Sequence, residues 1–208
     1  VAMLTRSMRA DIGVMISASH NAYTDNGIKL FGPDGFKLND DIETQIEASL
    51  DNALQGEAAL VEPEQLGMDQ DDHSAREHYI LAAMNSVASG FDLSGMKVVL
   101  DCANGAAFEL APTILRDLGA DVTLIGAEPN GLNINLECGS THTEAMQQAV
   151  KDTKADVGIA LDGDADRVLI ADEKGALIDG DQLMAVVTRH MHENGLLKGG
   201  GLVATVMS

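Results

Sequence analysis

Residues 97–125 alternate between two periodicities, and that alternation constrains the fold more than any other feature. Lys97-Val-Val-Leu-Asp101 is an apolar run with the length and β-branched content of a buried strand. Cys102-Ala-Asn-Gly105 reads as a tight turn, Ala106 to Leu118 as a helix, and Ala120-Asp-Val-Thr-Leu-Ile125 as the next strand. Strand, helix and strand in quick succession imply a parallel sheet covered by helices. The units on either side extend the pattern, so the expected fold class is α/β: successive α/β units with mixed or mostly parallel sheets sandwiched by helices. The chain has 208 residues, 45% of them hydrophobic but only 3% aromatic and none of them Trp. One or two domains are therefore expected, with a core of Ala, Val, Ile, Leu and Met.

The remaining segments are read in the same way. Asp11 to Ser17 is a short apolar run expected as a buried strand, and Ile28 to Phe31 resumes a strand after the polar loop 18–27. Gly32-Pro-Asp-Gly35 is a turn. Residues 40–55 place Ile42, Ile46, Leu50 and Leu54 at fourfold spacing, which predicts an amphipathic helix with an acidic outer face. Residues 56–72 carry Gly, Pro and acids without periodicity and read as a linker. Residues 73–89 read as a helix with Tyr79, Ile80, Ala83, Met84 and Val87 on one side. Residues 126–141 form a long loop, and Thr141 with Glu144 has capping-box spacing for a helix running to about Lys151. Ala155 to Leu161 is a strand. Glu173 to Gly175 turns the chain back, and Asp179 opens a helix through about Asn194 that Gly195 stops. Leu202 to Val206 reads as a further strand. The start lacks Met and the end falls on that strand, so a piece of a longer protein is expected.

Charge and cysteine usage narrow the function classes. The formal net charge of −20 argues against non-specific binding to nucleic acid or to anionic membranes. The scarcity of aromatic residues argues against stacking on single strands. A local cluster of basic groups could still hold a small anionic substrate. Cys102 and Cys138 show neither zinc nor CxxC spacing, which suggests a reduced, intracellular, cytoplasmic protein. No apolar run approaches a membrane span.

Two loops carry candidate chemistry. In the first, Asp162, Asp164 and Asp166 occupy alternate positions between two apolar runs and are followed by Arg167. Carboxylates on alternate residues project to one side and repel, so the spacing calls for a cation, and oxygen-only ligands suit Mg²⁺ or Ca²⁺. The acids match positions one, three and five of an EF-hand, and Glu173 falls at position twelve. Position six, where the sharp turn needs Gly, is Arg167, and the flanks read as strands rather than helices. Arg167 reads either as a charge-balancing partner or as a bidentate phosphate ligand. Asn104-Gly105 at the head of a helix reads either as an ordinary strand-to-helix turn or as an anion site. In the second loop, Ser17-Ala-Ser-His-Asn21, a Ser adjoins a His. Gly-x-Ser-x-Gly is absent, and neighbouring residues point in different directions, so a nucleophile elbow is excluded.

Taken together, Ala18-Ser-His-Asn21, Asp25-Asn-Gly-Ile-Lys29 and Asp162-Gly-Asp-Ala-Asp-Arg167 resemble the motifs of the α-D-phosphohexomutase superfamily, and the resemblance covers essentially the whole chain. Ser17, where other branches usually have Thr, and Asn133-Ile-Asn-Leu-Glu-Cys-Gly-Ser-Thr-His142 are similar to the phosphoglucosamine mutase branch. The resemblance implies that Ser19 carries a phosphoryl group, and that Asp162, Asp164 and Asp166 with a phosphate oxygen on Ser19 hold one Mg²⁺. It implies that Lys29 assists proton transfer or stabilises charge, and that His20 and Arg167 support the phosphate. The substrate would be a hexosamine phosphate, glucosamine 6-phosphate exchanging with glucosamine 1-phosphate, with mannose or glucose phosphates as the alternative. A non-catalytic metal-binding module is the alternative of another class. A homodimer is compatible with the full-length members. Full members have four domains. Residues 1–66 would be the later part of domain one, 67–175 domain two and 176–208 the start of domain three, a piece expected to show little or no mutase activity alone. Ala22, where the family usually has Pro, and Ala165, where Gly is commoner, are the departures.

Overall fold

The computed structural model describes residues 1–56 and 61–205. The chain forms two compact units. One comprises 1–16 and 27–86, and the other comprises 17–26 and 87–208.

In the first unit, α1 (Ala2–Ser7) precedes a two-stranded ribbon of β1 (Gly13–Ser17) and β2 (Gly27–Phe31). The turn after β2 closes through the Gly35 N–H, which donates to the Gly32 carbonyl at 2.9 Å. The helix α2 (Asp40–Leu54) starts where the Asn39 side chain accepts from the Ile42 N–H, and Asp40, Asp41 and Glu43 suit its positive N-terminal end. A helix α3 (Ala75–Met84) follows. β1 was expected to be buried and is not: Val14 and Ile16 are 54% and 75% exposed. The strand is covered on one face only: Gly13 is buried and Met15 and Ser17 half-buried, while Val14 and Ile16 point to the open face. The linker expected over 56–72 falls partly on 57–60, outside the described residues. Its remainder holds a short 3₁₀ turn at Pro63–Gln65.

The second unit holds the expected α/β pattern. A five-stranded sheet runs in the order β4 (Asp121–Ile125), β3 (Lys97–Asp101), β5 (Val157–Leu161), β6 (Val168–Ala171), β7 (Leu177–Ile178). β3 pairs in parallel with β4 and β5, whereas β5–β6 and β6–β7 are antiparallel. The sheet is therefore mixed. β7 had no sequence signal, because two residues are too few to show a period.

The helices are α4 (Leu110–Asp117), α5 (Glu144–Thr153) and α6 (Gly180–Glu193). The core is aliphatic, as the composition required: Val99, Met146, Val150, Ala155, Ala160 and Ala171 form one buried cluster. Met146 and Val150, one turn apart on α5, press on the sheet where Gly158 leaves room for them.

Three expectations are corrected in this unit. α4 begins four residues later than the pattern suggested. Ala103 and Asn104 take left-handed backbone angles, and the Ala106 N–H donates to the Gly163 carbonyl. The capping box at Thr141 does not form. Thr141 lies in a 3₁₀ turn (Gly139–Thr141), the non-helical His142 separates it from α5, and Thr143 is the N-cap. The capping box that does form lies at α6, between Asp179 and Gln182. Leu202 to Thr205 are not strand, and Val206 lies outside the described residues. No helix among the described residues is long and apolar enough to cross a membrane.

The topology locates the chemistry. β3–α4–β4 runs one way along the sheet, and β4–α5–β5 returns past β3. The direction therefore reverses between β3 and β5, and open α/β sheets bind ligands beyond the carboxyl ends of the strands at such a point. Asp101 ends β3, and Asp162 directly follows β5.

Candidate active site

The triple-Asp segment is the tight connection between β5 and β6, as its apolar flanks implied. Ala165 takes a left-handed φ of 58°, and the Ala165 N–H donates to the Asp162 carbonyl at 3.0 Å, which closes the turn. One ligand oxygen from each of Asp162, Asp164 and Asp166 lies within 4.8 Å of the others. Asp162 is buried, Asp164 half-buried and Asp166 exposed.

Asp162 Oδ1 accepts the Asp166 and Arg167 N–H groups, each at 3.1 Å. Asp162 Oδ2 is buried with no hydrogen-bond partner. Burial pushes the Asp162 carboxyl above the ordinary carboxylate range. The Arg167 N–H opposes that shift, while the charges of Asp164 and Asp166 reinforce it. An orphaned oxygen on a buried acid, beside two more carboxylates, fits a hard divalent cation such as Mg²⁺. The EF-hand alternative fails on the flanks, which are antiparallel strands.

The Ser17–Asn26 loop belongs to the same compact unit. Ser17 Oγ donates to Asp164 Oδ2 at 2.9 Å and accepts from the Ser19 N–H at 2.9 Å. Asn135 Nδ2 donates to the Ser19 and Asn21 carbonyls, both at 2.8 Å. Gly163 makes the close approach possible, because a Cβ there would run into the Ser19 carbonyl. Gly105 does the same from the other side, where a Cβ would strike the Gly163 backbone. The Asn104-Gly105 turn thus braces the acid loop. The Asn104 side chain is spent on the 126–138 loop, donating to the Asn133 carbonyl and accepting from the Glu128 N–H.

The predicted residues fall as follows. Ser19 is half-buried, with a left-handed φ of 50°, and its Oγ lies 3.5 Å from Nδ1 of the exposed His20. Arg167 is exposed and lies 3.9 Å from Asp166. Lys29 is half-buried on β2 and belongs to the first unit, whereas Ser19, His20, the three acids and Arg167 all belong to the second. Three residues that hold the site together had no assigned role in the sequence: Ser17, Asn135 and Asp101. Asp101 Oδ1 accepts from the Ala103 N–H at 2.9 Å, and its Oδ2 accepts from the Gly139 N–H at 2.8 Å. The available signals were an acid closing a buried strand and, for Asn135, a residue type that tolerates the left-handed backbone it adopts (φ 58°).

Two family models match this chain. The phosphoglucomutase/phosphomannomutase α/β/α domain I model covers residues 1–57, and the domain II model covers 77–175. The chain belongs to the phosphoglucomutase/phosphomannomutase family. Within that family it is similar to the phosphoglucosamine mutase of Rhizobium meliloti strain 1021, 59% identical over 208 residues, which are 100% of this chain and 46% of the relative. The phosphoglucosamine mutase of Caulobacter vibrioides is 56% identical over the same span and the same shares. The chain thus spans about half the length of the curated relatives it matches.

Among solved structures, the putative phosphomannomutase of Thermus thermophilus superposes with a TM-score of 0.72 at 25% identity, over 93% of this chain and 44% of that one. An Aspergillus fumigatus N-acetylphosphoglucosamine mutase, solved with GlcNAc-6P and magnesium, shares the fold with a TM-score of 0.54 at 22% identity, over 95% of this chain and 52% of that one.

Proposed function

We propose that the protein to which this chain belongs is a Mg²⁺-dependent phosphoglucosamine mutase. It interconverts glucosamine 6-phosphate and glucosamine 1-phosphate through a phosphoserine at Ser19 and a hexosamine bisphosphate. The observation that carries the chemistry is the hydrogen bond from Ser17 to Asp164, which seats the Ser19 loop against the acid cluster. The sugar assignment is supported by 59% identity to a phosphoglucosamine mutase along the entire chain. Residues 1–66, 67–175 and 176–208 are read as parts of three successive domains; the two family models, over 1–57 and 77–175, fall within the first two. The buried free cysteines accord with a reducing cytoplasm.

Phosphoryl transfer asks the protein for in-line positioning and charge neutralisation rather than covalent chemistry. Asp162, Asp164 and Asp166, with a phosphate oxygen on Ser19, would hold Mg²⁺. A cation held there would supply polarisation of the phosphoryl group and stabilisation of charge on the serine oxygen. Ser19 Oγ gives its phosphoryl group to the free hydroxyl of the sugar phosphate and takes the other phosphoryl group back from the bisphosphate. Lys29 supplies a compact cation that can hold or deliver a proton at the reacting sugar oxygen. His20 Nδ1, beside Ser19 Oγ, supports the phosphoserine, and Arg167 offers a fork for phosphate oxygens.

The test is a Ser19→Ala variant of the full-length protein, followed by intact-mass analysis and a glucosamine 6-phosphate turnover assay. Loss of one phosphate of mass and of turnover by at least about 1000-fold is expected for removal of the covalent carrier. An active, unphosphorylated Ser19→Ala protein would remove this reading. Faster turnover of mannose or glucose phosphates would transfer it to another branch of the family.

A further inference from the structure

The contacts around Ser19 point beyond its identification as the phosphoryl carrier. A non-glycine residue at φ 50° is uncommon and must be held there by its surroundings. Both peptide groups of Ser19 are tied down. Its N–H can only donate, so Ser17 Oγ must be the acceptor in that 2.9 Å bond. The single hydroxyl proton of Ser17 is then committed to Asp164 Oδ2, also at 2.9 Å. On the other side, the Ser19 carbonyl can only accept, which fixes Asn135 with its NH₂ toward the loop, spanning the Ser19 and Asn21 carbonyls. Asn135 is buried, and its own N–H is anchored on the Ala103 carbonyl at 2.8 Å, in the turn that braces the acid loop.

We propose that Ser17 and Asn135 are positioning residues that clamp Ser19 at its N–H and its carbonyl, with the Ser17 hydroxyl orienting the metal ligand Asp164 through the same proton arrangement. One hydroxyl thereby sets the relative placement of the nucleophile and of one carboxylate of the cation site. This rests on the reading of Ser19 as the phosphoryl carrier and of the three acids as metal ligands, but it can fail while that reading stands. Partners that orient a metal ligand typically change metal affinity or activity by about 10–100-fold when removed. Positioning of a reacting group acts on kcat rather than on substrate binding.

The experiment compares Ser17→Thr with Ser17→Val in the full-length protein. The two side chains are nearly isosteric and differ in the hydroxyl. Ser17→Ala serves as a second hydroxyl deletion should Val disturb the strand, and Asn135→Asp replaces the amide donor with an acceptor. Mn²⁺ affinity is read by electron paramagnetic resonance, and kcat and KM are read with glucosamine 6-phosphate. The Thr variant is expected to match the parent. The Val and Ala variants are expected to lose about 10–100-fold in Mn²⁺ affinity and in kcat with KM held. Asn135→Asp is expected to lower kcat with KM held. Equal Mn²⁺ affinity and equal kcat for Thr, Val and Ala would overturn the proposal, even if Ser19→Ala is dead. The Mn²⁺ titration decides the Ser17 contact even if Ser19→Ala is active.

Discussion

Two aspartates close neighbouring parallel strands in this molecule, and they have opposite characters. Asp101 ends β3, Asp162 follows β5, and both are 0% exposed. Burial pushes both carboxyls above the ordinary range, in each case as the largest influence. The difference lies in what their oxygens meet. Each Asp101 oxygen accepts a backbone N–H, from Ala103 and from Gly139, so its acceptors are matched within the fold. Asp162 spends one oxygen on two N–H groups and keeps the other buried with no partner. Residue type and burial are the same, and both acids stand at the carboxyl ends of neighbouring parallel strands, so none of these separates a structural carboxylate from one available to a cation. The unmatched oxygen does.

Replacing Asp162 by Asn is expected to produce the largest effect. In the full-length protein, Mg²⁺ or Mn²⁺ affinity and turnover should fall by more than about 100-fold, beyond what the loss of an orienting partner costs. Stability should move the other way. A carboxyl whose folded pKa is raised favours the folded state below its unfolded value of about 3.9, and that contribution is lost as pH rises through the higher folded value. Without metal, Asp162→Asn should therefore melt higher than the parent at neutral pH, with the gap closing as pH falls into the carboxylate range. Added Mg²⁺ should raise the melting temperature of the parent and leave that of the variant unmoved. A parent indifferent to Mg²⁺ in calorimetry would erase the distinction between the two acids.

Asp101→Ala should show the reverse profile. It strands the buried N–H groups of Ala103 and Gly139 at about 1–3 kcal/mol each, so denaturant unfolding should lose roughly 3 kcal/mol. Metal affinity should shift by less than about 10-fold, since no ligand is removed. A drop in metal affinity as large as that of Asp162→Asn would place Asp101 in the site itself.

The smallest effect concerns the thiols beside Asp101. Burial, with the charge of Asp101 added, pushes Cys102 up to about 12 and Cys138 up to about 11. Both should resist thiol reagents in the folded protein at neutral pH, where the thiolate is scarce. Rapid labelling of either would mean that the Asp101 region opens far more readily than its hydrogen bonds suggest.

Much of this region was legible from local pattern. Lys97–Asp101 is a strand over the residues that its apolar run predicts, and the acids at 162–166 sit in a strand-to-strand turn as their flanks imply. Reading failed where two local signals competed with a distant partner. Thr141 has the spacing of a cap, but the Gly139 N–H is claimed by Asp101, 38 residues back in the chain, and a 3₁₀ turn forms in its place. Ala106 has helix propensity, but it follows the left-handed Ala103 and Asn104 in a turn packed on Gly163, and α4 starts only at Leu110. The apolar run at 13–17 did become a strand, but apolar content alone does not say whether anything covers it.

The sequence by itself determined the alternation of strands and helices and the family motifs, because period and spacing act over a few residues. It also determined the presence of three carboxylates on one turn. Only the tertiary structure decided which aspartate is matched and which keeps an oxygen for a cation. It also decided that Ser17 reaches an acid 147 residues away and that Asn135 holds a loop 116 residues back. Those outcomes depend on hydrogen bonds of fixed length between segments that only the folded sheet brings together, and no local period encodes them.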